Sequence, residues 1–280
     1  MDSLQLLVKG TVVVFVVSSM LSIGLAVRGV EIIAPMRRPA WVLRALIANF
    51  VLAPALALAI AAVLPLDPGY ELGLLLLGFA AGAPFLPKVA DIGRAHVPTA
   101  TALMVLLMAG TVVVMPLALP LFVKGLQVNP WRIAAPLVVL MLAPLLLGMA
   151  GQRFAPQTSA KLLPAVTRTS NIGFIAVLIL LCGTNLAALA GVVGSGAIGA
   201  AILFVVLLFA GAWALAEPNA AGRRLLGYAT ASRNIGAALV AAGASAAEPK
   251  AAVMLIVTGV VGLVLLLAAA SWVRRRDRTG

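Results

Sequence analysis

The stretches GFAAGAPFLPKVADIG, residues 78–93, and YATASRNIGAALVAAG, residues 228–243, decide how this chain folds. Both are apolar segments interrupted by residues that a membrane-spanning helix seldom carries. In the first, Gly82, Pro84 and Pro87 break the helical hydrogen-bond ladder, because proline has no N–H and glycine resists staying helical. Lys88 and Asp91 follow at once. In the second, Arg233 and Asn234 lie between flanks that are almost wholly apolar. A charge at mid-bilayer costs at least ~2.5 kcal/mol, so it is placed facing a polar interior rather than lipid. Two broken segments at corresponding places in the halves of a chain mark the midplane site of a secondary transporter.

The rest of the chain fits that reading. Of 280 residues 63% are hydrophobic and only 10% charged, and the mean hydropathy is +1.16. Apolar runs of roughly 20 residues, each able to cross a ~30 Å hydrocarbon core, cover 4–27, 40–64, 70–93, 97–123, 131–152, 163–188, 191–215, 222–245 and 249–273. Between them stand proline-containing polar separators such as PLDPG at 65–69, VNP at 128–130 and APQTS at 155–159. The expected fold is all-α: a polytopic membrane protein of about nine transmembrane helices, forming one transporter domain over residues 1–280. Residues 4–27 are too long for a signal-peptide core and are read as the first helix, with Lys9 snorkelling from its outer end.

The formal charge of +12 could point to nucleic acid, but its placement does not. Arg28, Arg37, Arg38, Arg44, Arg94, Arg153, Lys161, Arg168, Arg223, Arg224, Arg274, Arg275, Arg276 and Arg278 fall in or beside loops on one side. Only Lys9, Lys124, Arg132 and Lys250 fall on the other. That asymmetry puts the C-terminus in the cytoplasm and, with an odd number of spans, the N-terminus outside. The expected location is a bacterial inner (plasma) membrane, with the bilayer and no nucleic acid as partner. The broken segments are the third and eighth spans, an odd offset, so the repeat halves, about 1–125 and 126–280, would be inserted in opposite senses. Nine spans then look like a ten-span parent without its first helix.

At these residues the chain resembles the bile acid:sodium symporter family, within the larger group of bile acid, arsenite and auxin-type carriers. MLSIGLAV at 20–27, RRPAWVLRALIANFVLAPALA at 37–57, LGLLLLGFAAGAPFLPKVADIGRAHV at 72–97 and ASRNIGAALVAA at 231–242 carry the likeness, in order and at the right spacing. The resemblance implies a panel domain and a core domain, with the two broken helices crossing in the core beside sodium and substrate sites. Its nine spans would be the family's second to tenth helices.

The chain also departs from that pattern. Where the resemblance implies a Ser-Asn pair for sodium, residues 86 and 87 are Leu86 and Pro87; expected hydroxyls are Ala100 and Met104. The implied Glu and Gln of the second broken helix are Ala229 and Arg233, and the neighbouring Asn is kept as Asn234. Leu, Ala and Met side chains offer no oxygen to a cation. Two sodium ions and one Glu sum to +1, as does one Arg without the Glu, so Arg233 is read as a tethered cation that holds the crossing together and attracts an anion.

Several residues keep alternative readings. Arg233 could form an ion pair with Asp91, contact a substrate anion, or snorkel. Asp91 could carry a coupling proton, or lie with Lys88 at the solvated mouth of a half-helix. Asn49, Asn234, Thr230 and Ser232 are candidate substrate contacts, with Asn171, beside Ser170, a further one. Cys182 is read as packing and His96 as interfacial, leaving no thiolate or histidine cluster for a metal or an enzyme. GVVGSGAIGA at 191–200 lacks the Lys-Ser/Thr of a P-loop.

The chain is therefore expected to be no enzyme, to need no cofactor, and to carry a small organic anion by alternating access, coupled to sodium or to protons. The contrasting expectation is a polytopic membrane sensor, although the short tail after Trp272 offers no output domain.

Overall fold

The computed structural model describes residues 3–27, 37–122, 129–184, 186, 190–244 and 249–279, with side chains to residue 275 in the last segment. Arg28 and Lys124, and the side chains of Arg276 and Arg278, lie outside the described residues. Every regular element described is a helix. In chain order they are α1 (Ser3–Ala26), α2 (Pro39–Val63), α3 (Pro68–Phe79), α4 (Leu86–Ile92), α5 (Val97–Phe122), α6 (Pro130–Phe154), α7 (Pro156–Thr184), α8 (Ala197–Leu215), α9 (Ala220–Ala231), α10 (Ile235–Ala244) and α11 (Pro249–Thr279). Seven of these, α1, α2, α5, α6, α7, α8 and α11, are long and apolar enough to cross a membrane. The chain is a polytopic membrane protein.

Prolines set five of the eleven starts. Pro39, Pro68, Pro130, Pro156 and Pro249 each open a helix, where a missing N–H leaves no ladder bond unmade. Asp67, Asn129 and Asn219 cap α3, α6 and α9 by accepting from the N–H of Gly69, Trp131 and Gly222. Inside α2 and α6 the ladder widens to π turns at Ala48–Leu52 and Val138–Leu142, with Pro54 and Pro144 just beyond. Each proline would collide with the carbonyl four residues back, Phe50 or Leu140, and the widened turn accommodates the ring. It also turns Asn49 inward, where it is fully buried.

Two helix starts differ from the sequence expectation by more than a turn. The sixth span begins at Pro156 rather than 163, because Pro156 starts a helix that continues through Pro164. The stretch APQTS is thus a helix start and not a loop. The seventh begins at Ala197 rather than 191, since Gly194 and Gly196 hold positive φ angles of 84° and 79° that end the preceding turns.

The helices pack in two groups. α1, α6 and α7 pack mainly on one another, and α2, α3, α4, α5, α8, α9, α10 and α11 form the other group. The first group is drawn close by glycines: a Cβ at Gly24 would lie 2.8 Å from Gly148 Cα, and one at Gly148 2.6 Å from Leu21 O. Only hydrogen at both positions lets α1 and α6 approach so nearly. The groups meet along α6, which packs on α5 and α10, and where Phe15 and Val16 of α1 rest on Gly236 in the first turn of α10. Large side chains such as Val113, Leu117, Leu147 and Ile179 stay exposed on the outside, as expected of a lipid-facing surface.

Candidate functional site

The helical ladder is interrupted in both stretches, and the breaks meet. α3 ends at Phe79 and α4 starts at Leu86; Gly82 lies between them with φ 78°. A Cβ on Gly82 would also stand 2.6 Å from Met108 N, so both the backbone angle and the space demand glycine. Pro87 falls at the start of α4, and so founds the second half-helix rather than breaking the first. α9 ends at Ala231, Ser232 and Asn234 are in the gap, and α10 begins at Ile235.

Arg233 fills the meeting point. Its Nε donates to Leu77 O at 2.8 Å, Nη2 to Gly78 O at 2.7 Å, and Nη1 to Thr230 O at 3.2 Å and Asn49 Oδ1 at 3.0 Å. Leu77 and Gly78 belong to the last turn of α3, and Thr230 to that of α9. Such turns carry unpaired carbonyls and the negative end of the helix dipole. One guanidinium thus serves the open ends of both half-helices.

The surrounding amides complete the network. Asn49 donates from Nδ2 to Ala45 O at 3.0 Å and to Thr230 Oγ1 at 3.1 Å. Asn234 binds the other break: its N–H reaches Ala80 O at 2.9 Å, Nδ2 donates to Gly82 O at 2.9 Å, and Oδ1 accepts from Ala237 N at 3.0 Å. Ser232 is buried, with no hydrogen-bond partner for its hydroxyl among the described residues.

Sequence reasoning missed Thr111 of α5. Its Oγ1 accepts from Ala81 N at 2.9 Å and lies 3.1 Å from Ala81 O, so a side chain from a third helix satisfies the backbone of the first break.

Other candidates lie elsewhere. Asp91 pairs with Lys88 at 3.7 Å, and both side chains are exposed, at 63% and 73%. No ion pair joins Asp91 to Arg233, whose hydrogen-bond acceptors are all uncharged. Asn171 is exposed on α7 and does not join the network. Cys182 is a half-buried free thiol.

Between the two helix groups is a cavity of about 750 Å³ that borders α10 from Leu239 onward. α1, α6 and α7 line one side through Val8, Lys9, Val12, Leu140 and Thr184, and α10 and α11 the other through Leu239, Val240 and Ala252. Lys9, expected to snorkel, is among the lining residues and is the only charged one. No carboxylate pairs with it among the described residues.

A family model, that of the Sodium Bile acid symporter family, matches residues 13–192, well over half of the chain. The chain belongs to that family. It is accordingly an integral membrane protein and a secondary transporter of a small molecule, not an enzyme. No curated protein matches the chain. The matched segment contains the first break, Asn49 and Thr111 and ends before α9, so the arginine at the second break lies beyond it.

Proposed function

We propose that this transporter carries a small organic anion by alternating access, the substrate entering through the cavity beside Lys9. The observation that carries the reading is the position of that cavity. It lies between two helix groups that meet along α6 and where Phe15 and Val16 rest on Gly236, and α10, which follows the second break, forms part of its wall. Rocking one group on the other would close the cavity at this end and open the opposite face.

In this reading the two broken segments also cross the bilayer, and with seven continuous helices they make nine spans. The halves, about 1–125 and 126–280, are inverted repeats; α1, α6 and α7 are the panel and the remaining helices the core. The N-terminus and the cavity mouth are outside, the C-terminus in the cytoplasm of a bacterial cell. Lys9 is the anion's first contact, because an ammonium with no carboxylate partner among the described residues, set in a largely apolar cavity, attracts one negative charge and leaves the walls to an apolar body. Asn234 and Ser232, fully buried at the second break, are the polar groups that the substrate meets once the helix groups move apart.

Uptake of a panel of radiolabelled organic anions into proteoliposomes, with sodium and proton gradients imposed separately, tests this. Saturable uptake of at least one anion is expected. Folded, correctly inserted protein that moves none of them would favour a sensor instead.

A further inference from the structure

The family's name implies sodium, and the meeting point of the breaks is where a cation belongs electrostatically. Two half-helix C-termini converge there, and each presents carbonyl oxygens to the same spot. We infer that Arg233 is the resident cation of this site, so that the protein neither binds sodium at the crossing nor needs it there to become transport-competent.

The donor set supports this in three ways. First, the carbonyl and amide oxygens at the helix ends are already engaged: Leu77 O, Gly78 O, Thr230 O and Asn49 Oδ1 each accept a guanidinium N–H at 2.7–3.2 Å. The Ser232 and Thr258 hydroxyls, without a partner among the described residues, are too few to replace the water around a sodium ion. Second, those acceptors are all neutral. Adding a sodium ion would place a second positive charge against a guanidinium that is only 4% exposed. Third, a void of about 10 Å³ touches Arg233, lined also by Leu77, Phe85, Ala231, Thr258, Gly259 and Gly262. Its walls bring no carboxylate, and an ion within it would lie beside the arginine. The residues present therefore do not fit sodium, and they do fit a tethered cation.

A free ion can leave the crossing, whereas a guanidinium on the chain stays through the transport cycle. The positive charge at the crossing is here attached covalently to the chain and set at folding. As a statement about coupling this rests on the transport reading above; as a statement about ion binding it stands alone, and the experiment reads binding rather than flux.

Melting of the purified full-length protein in detergent is compared in sodium chloride and in choline chloride at equal ionic strength. The wild type is expected to melt at the same temperature in both. A saturable, sodium-specific rise, roughly 5–10 °C for an ion held at about a hundred times its Kd, would overturn the inference. In Arg233→Ala the cage loses its cation, so the variant melts lower, and guanidinium at sub-denaturing concentration raises its melting point while leaving the wild type unchanged. A variant as stable as the wild type, or one that no added cation rescues, also overturns it. Should Arg233→Ala not fold, Arg233→Lys replaces it. With the charge kept and fewer donors, that variant is expected to fold, melt below the wild type and stay insensitive to sodium; stabilisation of it by sodium counts against the inference.

Discussion

Arg233 donates to Asn49 Oδ1 at 3.0 Å, and Asn49 returns its own amide hydrogens to Thr230 Oγ1 and Ala45 O, so one buried amide links α2 to both the arginine and α9. Asn49→Leu would strand an arginine N–H and remove the donor to Thr230 in a place without water. Each buried group left unsatisfied costs about 1–3 kcal/mol, more where it is charged. Asn49→Asp keeps an acceptor for Arg233 and loses only the donors. The expected order of melting temperature in detergent is wild type, then Asn49→Asp, then Asn49→Leu. Equal losses in the two variants would show that the bond to Arg233 carries no particular weight.

Thr111 offers a sharper comparison, because its hydroxyl serves the backbone of another segment, Ala81. Thr111→Val conserves shape while stranding the Ala81 N–H, a loss of about 1–3 kcal/mol. Thr111→Ser retains the hydroxyl and loses one methyl group, so it is expected to melt closer to the wild type. Thr101 bonds back to Val97 O of its own helix, so Thr101→Val is a control in which the melting temperature barely moves. If the two valine variants melt alike, the cross-helix bond is not stabilising.

The same pair of threonines explains what could be read in advance. Broken segments were legible because proline and glycine act through the backbone alone, and Arg233 because a lone charge in an apolar run must find polar company. Asn49, Asn234 and Thr230 followed, since a buried amide or hydroxyl needs a partner and the breaks leave carbonyls free. Thr111 was not legible. Thr11, Thr101, Thr169 and Thr184 all bond to a carbonyl four residues back, and nothing in the residue's neighbours marks Thr111 as different. Pairing of charges was equally hidden: Asp91 lies three residues from Lys88, so its exposed pairing needed no second segment, while an ion pair with Arg233 would have required a distance no sequence gives. Lys9 was placed at the right end of α1, but whether that face looks to lipid or into a cavity depends on which helices stand beside it.

At the mouth end, Asp67 caps α3 and accepts from Lys250 Nζ at 2.5 Å, tying the start of α3 to the start of α11. The Lys250 bond, then the Gly69 N–H, hold its carboxyl below the usual carboxylate range. A carboxyl whose pKa is lower folded than unfolded stabilises the fold above the unfolded value, about 3.9, and loses that contribution as pH falls through the folded one. Melting temperature is therefore expected to drop as the medium is acidified below about pH 4. Asp67→Asn, which keeps a good N-cap, should melt slightly lower at neutral pH and show a shallower acid decline. The same acid slope in the variant as in the wild type would place the sensitivity elsewhere.

Lys9 lines the cavity and Arg233 fills the crossing of the breaks, and their surroundings assign them different work. Arg233 gives four N–H groups to protein oxygens and is sealed inside the core, so its replacement should act through stability. Lys9 is exposed, lines the cavity and has no carboxylate partner among the described residues, so its replacement should act through substrate. An ion pair at so open a position contributes only about 0.2–1 kcal/mol. Lys9→Gln is thus expected to raise KM for an anionic substrate by up to about fivefold, leaving the maximal rate and the melting temperature nearly unchanged. The increase should shrink with added salt, because an exposed charge is screened over about 10 Å at 0.1 M ionic strength. An unaltered KM for Lys9→Gln would remove the lysine from the substrate's path and leave the cavity to bind by its apolar walls.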